Sequence, residues 1–444
     1  MLRKPLFWMV LAALSVGSIL FSVRYFSRAF PITTLDLRMN RQEALAQARE
    51  IAARLQLPPD GYREVASFGG DSFVQNFVEL EGGGVDALRS MIVSGLYQPY
   101  SWTVRHFRPG ETREARIRFT PKGTPYGFSV QLPENAPGAA LSPDAARAIG
   151  EQAAVRDWHV DLAAFQALET SREVRPGGRV DHTFVYERTG ARIGEGRYRL
   201  RLVVGGEALT ELTYFLKVPE AFSRRYEQMR SANDVISMAD ASALVLLYLV
   251  GGCGVGLFFL LRRRWVLWRK PLTWGFVIAL LQLLAGLNEW PLSWMGYDTA
   301  ISPDGFTAQR IAQLLLMFLL YFVLFSVSFM AAESLSRRAF PRHIQFWKLW
   351  SQPVTSSPAV LGRTVAGYLL VGLFMAYDVF LYFGENRDAT HFAVQDPRPE
   401  PGAQGKMGCV PIFPIFPRFR CRCWIIGSWH NGVIAVKPLG GLHG

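Results

Sequence analysis

The segment IAQLLLMFLLYFVLFSVSFMAA, residues 311–332, decides the class of fold because it contains no charged residue over its 22 positions. A helix of about 20 apolar residues is long enough to cross the roughly 30 Å hydrocarbon core of a bilayer. Four further segments have a similar length and are mostly apolar: residues 7–26, 241–261, 272–290 and 364–383. The sequence therefore predicts five membrane-spanning helices, with the lipid bilayer as their surroundings.

The net charge of +12 at pH 7 comes largely from basic residues that lie close to these apolar segments. A nucleic-acid-binding protein needs a basic patch on a folded surface instead, so nucleic acid is not an expected partner. The basic clusters occupy residues 3–4, 262–270 and 333–363. The loop 293–309, by contrast, contains two aspartates and no Lys or Arg.

This asymmetry predicts how the chain is oriented in the membrane. Lys and Arg are enriched in cytoplasmic loops, so we expect an inner (plasma) membrane protein with a cytoplasmic N-terminus and with residues 30–236 outside the cytoplasm. Arg3 and Lys4 before an apolar core are also typical of a cleaved signal peptide. No clear A-x-A cleavage site follows, which favours an uncleaved membrane anchor at residues 1–29.

Residues 30–236 predict an α+β domain made of two similar units, 30–135 and 136–236. Asn40 and Glu43 have the spacing of a helix capping box, and Ser142 followed by Pro143 is typical of a second helix start. Each helix precedes segments with the alternation of antiparallel strands. These segments are 72–80, 101–107, 114–120 and 128–132 in the first unit, then 171–175, 180–186, 197–204 and 209–218 in the second.

Two glycine pairs in the second unit predict hairpins, because both residues of each pair can adopt positive φ. They are Gly177-Gly178 and Gly205-Gly206. A four-helix membrane region is expected at 237–385, followed by an irregular tail at 386–444. Frequent Pro and Gly without periodicity make that tail typical of a frameshifted or truncated end, and a genuine disordered tail is the alternative.

Few residues are candidates for chemistry. Ionisable groups inside membrane spans are rare and often functional, so Glu289 and Asp378 are candidates for a wet cavity or a cation site, with a structural role as the alternative. Gly252 and Gly256 have the spacing that lets two helices approach closely. We expect no metal ligand, because the histidines and cysteines have no zinc-site spacing. We expect His106, His159 and His182 to be surface or packed residues.

Several segments resemble the N-terminal part of large bacterial CPBP (Abi, CAAX-protease-like) intramembrane metalloproteases. The resemblance covers residues 1 to about 385 and lies in 201–206, 218–222, 330–343, 345–350 and 361–370. The two helix-plus-sheet units also resemble PepSY-type units outside the bacterial membrane, which bind or restrain a partner peptidase. Peptide-bond hydrolysis by a zinc site is what the family resemblance implies for an intact relative.

This chain departs from the motifs of that family. The family's Glu-Glu-x-x-x-Arg helix is matched only by Glu333 and Arg337, with Ala332 in place of the first glutamate, and no predicted span contains a histidine. We interpret Glu333 and Arg337 as an i, i+4 charge pair at a helix end. No catalytic residue is assigned, and zinc is expected only in an intact family member.

Three functional hypotheses remain open. The leading one is the sensor or regulatory part of a CPBP-like membrane protein without a competent peptidase site. The second is an independent membrane-anchored binding module whose outer domain recognises a peptide, a cell-wall fragment or a partner protein. The third, a small transporter, requires polar groups that converge inside the membrane.

Overall fold

The computed structural model describes residues 5–56, 61–341, 344 and 346–395, with most side chains described up to residue 381. The helices in this part of the chain are α1 (Pro5–Ala29), α2 (Arg41–Arg54), α3 (Ser72–Leu80), α4 (Gly84–Ser94), α5 (Pro143–Trp158), α6 (Glu220–Leu244), α7 (Gly256–Arg262), α8 (Arg269–Asn288), α9 (Trp290–Ser293), α10 (Pro303–Ala339), α11 (Gln352–Thr355) and α12 (Pro358–Gln395). The strands are β1 (Arg63–Gly70), β2 (Tyr100–Phe107), β3 (Glu114–Phe119), β4 (Pro125–Gln131), β5 (Phe165–Val174), β6 (Val180–Ile193), β7 (Gly196–Gly205) and β8 (Ala208–Lys217).

Among the described residues, five helices are long and apolar enough to cross a membrane, as the sequence predicts. They are α1, the continuous helix of α6 and α7 (Glu220–Arg262), α8, α10 and the segment Pro358–Leu381 of α12. A π-helical segment, Val245–Val255, joins α6 to α7. The helix α1 packs against α12, whereas α8 and α7 pack against α10.

Two of the long apolar helices approach each other closely where α8 crosses α10. Pro271, Gly275 and Ala279 are the buried residues of α8. A Cβ atom added at Gly275 would lie only 2.9 Å from the backbone nitrogen of Ser326 on α10. Small residues at four-residue spacing allow two backbones to approach in this way. Gly275 therefore lies at a close packing contact between α8 and α10.

The part of the chain between α1 and α6, which we call the soluble domain after its predicted location outside the membrane, contains one eight-stranded antiparallel sheet, in the order β1-β2-β3-β4-β8-β7-β6-β5. The strands β1 to β4 pair in sequence order, and so do β5 to β8. The two halves are joined by the pairing of β4 with β8, at Phe128 opposite Leu212. Both halves therefore contribute to one continuous sheet.

The hydrophobic core lies on the face of the sheet that the helices cover. The helix α2 contacts β1, β2 and β3, and α5 contacts β4, β6, β7 and β8. Buried side chains under these helices include Trp102, Ile117, Phe128 and Leu200. A second cluster packs α3, α4 and the start of α6 against β7 and β8. The opposite face, which we call the open face, carries alternate residues of the same strands.

The predicted helix starts and hairpins of this domain are confirmed. The side chain of Asn40 accepts a hydrogen bond from the backbone nitrogen of Glu43 at 3.0 Å, and the Glu43 carboxylate accepts one from the Asn40 nitrogen at 3.0 Å. Ser142 caps α5 through the nitrogen of Ala145. Gly178 (φ +81°) and Gly206 (φ +65°) lie in the β5–β6 and β7–β8 hairpins.

The prediction of a strand at residues 72–80 is wrong, because this segment is helix α3. Asp71 precedes it, and the Asp71 carboxylate accepts a hydrogen bond from the nitrogen of Val74 at 3.0 Å, which caps the helix. Val74, Phe77 and Val78 then share one buried helical face. The strand β1 and the helix α4 were not predicted. The strands β2, β3 and β4 agree with the other predictions for this half.

Candidate functional site

The turn between α8 and α10, residues 289–302, lies against the open face of the sheet. Tyr297 of this turn and Phe306 at the start of α10 form a small buried cluster with Val65 of β1 and Phe107 of β2. The guanidinium carbon of Arg63 lies 4.2 Å from the ring centre of Trp294, a favourable cation–π geometry. The soluble domain therefore contacts the membrane region directly, through what we call the α8–α10 turn.

Arg105 of β2 is the central residue of this contact. Its side chain is only 5% exposed and forms an ion pair with Glu114 of β3, which is 8% exposed. The Arg105 Nη1 atom donates to the carbonyl oxygen of Tyr297 at 2.6 Å, and the carbonyl oxygens of Trp294 and Met295 lie 3.2 Å away. We call Arg105, Glu114 and these three carbonyl groups the clamp.

The clamp satisfies the requirements for burying charge. A buried guanidinium is stable only when a counter-ion and hydrogen-bond acceptors replace water, and the clamp supplies both. The second oxygen of Glu114 pairs with Arg116 at 2.8 Å. The backbone nitrogen of Gly110 also donates to the carbonyl oxygen of Thr299 at 2.8 Å. The polar contacts of the sheet with the turn therefore involve the main chain of the turn, beside the aromatic side-chain contacts of Trp294 and Tyr297.

A groove of about 270 Å³ lies next to the clamp on strands β2 and β3, towards the start of β2 and the end of β3. Its lining residues are Ser67, Gly69, Gly70, Asp71, Tyr97, Gln98, Pro99, Ser101, Thr103, Arg118, Tyr126 and Tyr214. Thr103 and Arg118 lie opposite each other on β2 and β3, as do Arg105 and Arg116. Residues two apart on a strand project from the same face, about 6–7 Å from each other. The groove and the clamp are therefore adjacent on the open face.

The groove is rich in hydrogen-bond donors. Within the described part of the chain, partly buried Arg118 forms no ion pair and no side-chain hydrogen bond. The Tyr126 hydroxyl accepts a hydrogen bond from the nitrogen of Gln98 at 3.1 Å. Burial raises the pKa of Tyr126, although nearby Arg118 acts in the opposite direction. Tyr126 therefore remains protonated at neutral pH and can donate a hydrogen bond.

The carboxylate of Asp71 already has partners. One of its oxygens caps α3, and the other accepts a hydrogen bond from the Tyr97 hydroxyl at 2.9 Å. Burial is also the main cause that raises the pKa of Tyr97. Asp71 is therefore a fixed part of the groove wall. The groove retains hydrogen-bond donors that have no partner among the described residues, such as the guanidinium of Arg118.

The candidate residues from the sequence lie apart from this site. Glu289 is exposed at the end of α8, and Asp378 is partly buried on α12, where its Oδ1 atom has no hydrogen-bond partner among the described residues. Gly256 packs near Leu335 of α10, whereas Gly252 is exposed and Cys253 takes the buried position. No group of three potential metal ligands occurs in the described ranges.

Glu333 and Arg337 form the predicted charge pair one turn apart, with 3.6 Å between the carboxylate and the guanidinium. The Arg337 guanidinium also lies 5.2 Å from the ring centre of Trp347. This arrangement agrees with the interpretation of a helix-end pair. Residues 386–395 of the predicted irregular tail belong to helix α12, so the prediction is wrong for this segment, and the rest of the tail, from residue 396 onward, lies outside the described residues.

The three histidines of the domain have structural surroundings. His106 is 3% exposed beside Glu64, and burial lowers its pKa more than Glu64 raises it. His182 is buried, with Nε2 2.9 Å from the carbonyl oxygen of Leu141. His159 ends α5 in the left-handed conformation. These placements agree with the prediction of packed or surface histidines.

The residues that define the site were not predicted, namely Arg105, Glu114 and Arg118. The available signal was weak: polar or charged residues alternate with apolar ones in much of β2 and β3, which is also typical of an ordinary solvated sheet face. Comparisons with known proteins give no matching family model, no matching curated protein and no matching solved structure. The geometry of the groove and the clamp is therefore the basis for assigning a function.

Proposed function

We propose that this protein is a membrane-anchored sensor whose extracytoplasmic domain binds a ligand in the groove and transmits binding to α8 and α10 through the clamp. The observation that carries this proposal is Arg105, which is buried in the sheet and hydrogen-bonded to the backbone of the α8–α10 turn. A domain that served only as a tether would not need a buried charged contact with the membrane helices.

The position of the groove supports coupling between binding and the membrane region. Thr103 and Arg118 of the groove are each two residues from Arg105 and Arg116 on the same strands. A ligand that shifts β2 or β3 by a fraction of an ångström therefore acts directly on residues that hold the turn. Packed interfaces respond to such shifts by moving between discrete arrangements.

The clamp also supports the proposed orientation in the membrane. It requires the soluble domain and the α8–α10 turn to lie on the same side of the bilayer. Most basic residues of α8 and α10 lie at the ends of these helices away from the turn, at Arg269, Lys270, Arg337 and Arg338, and Arg310 alone lies near the turn end of α10. Because basic residues favour the cytoplasm, we propose that the domain is extracytoplasmic and that the N-terminus is cytoplasmic.

We further propose that the domain consists of two related units. In each half, a helix precedes four antiparallel strands that pair in sequence order, with α2 before β1 to β4 and α5 before β5 to β8. The helices α3 and α4 occur only in the first half, between β1 and β2. The proposed sensor role needs no peptidase activity, and the relation to CPBP proteases stays a prediction.

Chemical cross-linking in native membranes tests the clamped arrangement. The four native cysteines are replaced, and cysteines are introduced at Arg63 and Trp294, whose side chains are in contact. We expect a short bis-maleimide to join these two positions. The control pairs Arg172→Cys with Trp294→Cys. Since β5 is seven strand spacings from β1, these positions are about 34 Å apart along the sheet at roughly 4.8 Å per strand.

A cross-link between the first pair of cysteines but not between the control pair supports the clamp. Equal cross-linking yields for both pairs would contradict it. Orientation is tested separately with a membrane-impermeant maleimide on intact cells. Leu168→Cys on β5 is expected to react at once, because Leu168 is 48% exposed on the outer domain. Ser356→Cys, in the segment between α11 and α12, is expected to react only after the membrane is permeabilised. The reverse pattern would contradict the proposed orientation.

A further inference from the structure

We infer that the groove binds a carboxylate group, held by Arg118, from a small organic acid or from the C-terminus of a short peptide. This inference rests on the proposed function, because it names the ligand of the proposed sensor. It starts from the balance of charges and hydrogen-bond donors on the open face.

Arg118 differs from its arginine neighbours on the open face. Arg116 pairs with Glu114 on its own strand. Arg199 pairs with Glu187 and Arg201 with Glu211, and these two contacts are typical of cross-strand pairs on a solvated sheet. Arg118 has no such partner among the described residues, although it lines the polar groove. Its guanidinium therefore retains its full capacity to bind an anion.

The rest of the groove adds donors that a carboxylate can use. The Tyr126 hydroxyl accepts from Gln98 and can still donate its own proton. Ser67, Ser101 and Thr103 add hydroxyl groups to the lining. A planar guanidinium binds a carboxylate through two parallel hydrogen bonds, and neighbouring hydroxyl groups can complete the set. The lining thus matches a ligand that is mainly an acceptor.

The single positive charge favours a monoanion. Asp71 is also part of the groove wall and keeps a negative charge close to the ligand. A phosphate dianion would meet this carboxylate with only one guanidinium to balance it, which is unfavourable by simple Coulomb repulsion. A carboxylate carries one charge and has the planar geometry that Arg118 can pair with.

The size of the groove limits the ligand. A volume of about 270 Å³ is just below the range of about 300–1,000 Å³ for drug-sized ligands, so a small acid or the terminal residues of a peptide would fit. At Gly69, an added Cβ atom would meet no atom within 4 Å. This empty space lets a ligand approach the backbone of β1 closely, and it also allows a side chain to be introduced that fills the groove.

Saturation-transfer NMR on the intact protein in lipid nanodiscs tests the inference. The probes are N-acetyl-alanyl-alanine, its C-terminal amide, propionate and inorganic phosphate. We expect N-acetyl-alanyl-alanine to bind at least tenfold more tightly than its amide, because a charge-assisted pair with Arg118 is lost in the amide. We also expect Arg118→Gln to weaken binding of the acid at least tenfold and Gly69→Leu to abolish it.

Arg172→Gln is the matched control, because it removes an exposed arginine from the far edge strand β5 and should leave binding unchanged. Propionate binding as tight as that of the peptide acid identifies a small acid as the ligand source, and much weaker propionate binding identifies a peptide C-terminus. Each of four results would overturn the inference. These are equal binding of the acid and the amide, tighter binding of phosphate than of the acid, equal effects of Arg118→Gln and Arg172→Gln, and no saturable binding of any probe.

The sensor proposal has a separate readout in the same sample. Hydrogen exchange of the α8–α10 turn is measured with and without saturating N-acetyl-alanyl-alanine. Binding that depends on Arg118 but leaves exchange in the turn unchanged would support the ligand assignment and contradict the sensor. Binding that changes this exchange supports both proposals.

Discussion

The substitution Arg105→Met tests the clamp most directly, because methionine keeps much of the apolar stem and removes only the charged donors. Breaking a buried ion pair by removal of one partner destabilises a protein by about 3–5 kcal/mol, mostly because the other charge stays buried. Glu114 would keep its contact with Arg116, whose side chain is 47% exposed. We therefore expect the lower end of that range, about 3 kcal/mol.

The effect should concentrate in the α8–α10 turn, since the carbonyl groups of Trp294, Met295 and Tyr297 lose their donor. At about 1.4 kcal/mol per factor of ten, 3 kcal/mol corresponds to roughly 100-fold faster hydrogen exchange of amides protected by the clamp. Hydrogen exchange with mass spectrometry on the detergent-solubilised protein measures this effect directly for peptides covering residues 294–301.

Two further variants separate the buried charge from general destabilisation. The double variant Arg105→Met, Glu114→Leu removes both charges and should recover part of the loss, because no buried carboxylate remains without its Arg105 partner. Arg172→Met removes an exposed arginine and should change stability by no more than about 0.5 kcal/mol. The hydrogen-exchange rate of the turn in the single variant Arg105→Met is the deciding measurement. A rate within threefold of the wild-type rate would refute the reasoning that this contact couples the domain to the membrane helices.

Three other predictions follow from the packing and capping of the chain. Gly275→Ala should destabilise the membrane region by about 2–3 kcal/mol in thermal unfolding, because overpacking forces helices apart and the new Cβ would meet the backbone of Ser326. The control Gly367→Ala on α12, where a Cβ meets open space, should have almost no effect. Burial lowers the pKa of His106, so this histidine binds a proton more readily in the unfolded chain than in the folded domain. Domain stability should therefore decrease as the pH falls below about 6.5. An equally steep decrease in the variant His106→Gln would contradict this assignment. Asn40→Ala should cost about 1 kcal/mol in the urea unfolding of the domain, and Asn40→Gly only a few tenths; equal losses would mean that the capping oxygen is unimportant.

Local signals in the sequence were sufficient for much of the fold. The apolar segments predict the membrane helices because length and hydrophobicity alone determine whether a helix can span a bilayer. The capping box at Asn40 and the hairpins at Gly178 and Gly206 depend on residues close in sequence, so their geometry is encoded locally. Phe and Val in residues 72–80 favour a strand, but the Asp71 cap and the shared buried face of Val74, Phe77 and Val78 produce a helix there.

The candidate site could not be predicted because its contacts are distant in sequence. Arg105 and Tyr297 are separated by 192 positions, and nothing in either local segment indicates the other. The pairing of β4 with β8, which joins the two halves into one sheet, is equally non-local. The unpaired state of Arg118 becomes visible only when the partners of the neighbouring arginines are known.

The contact of the sheet with the α8–α10 turn has a mechanical consequence. Arg105 lies on β2, six strand spacings, or about 29 Å at roughly 4.8 Å per strand, from the far edge strand β5. The sheet is also held elsewhere, because α6 follows β8 directly and α3 and α4 contact α12. A rotation of about 5° about Arg105 would displace β5 by about 2.5 Å, given this spacing. A small movement at the turn would therefore be largest at β5, the strand farthest from it.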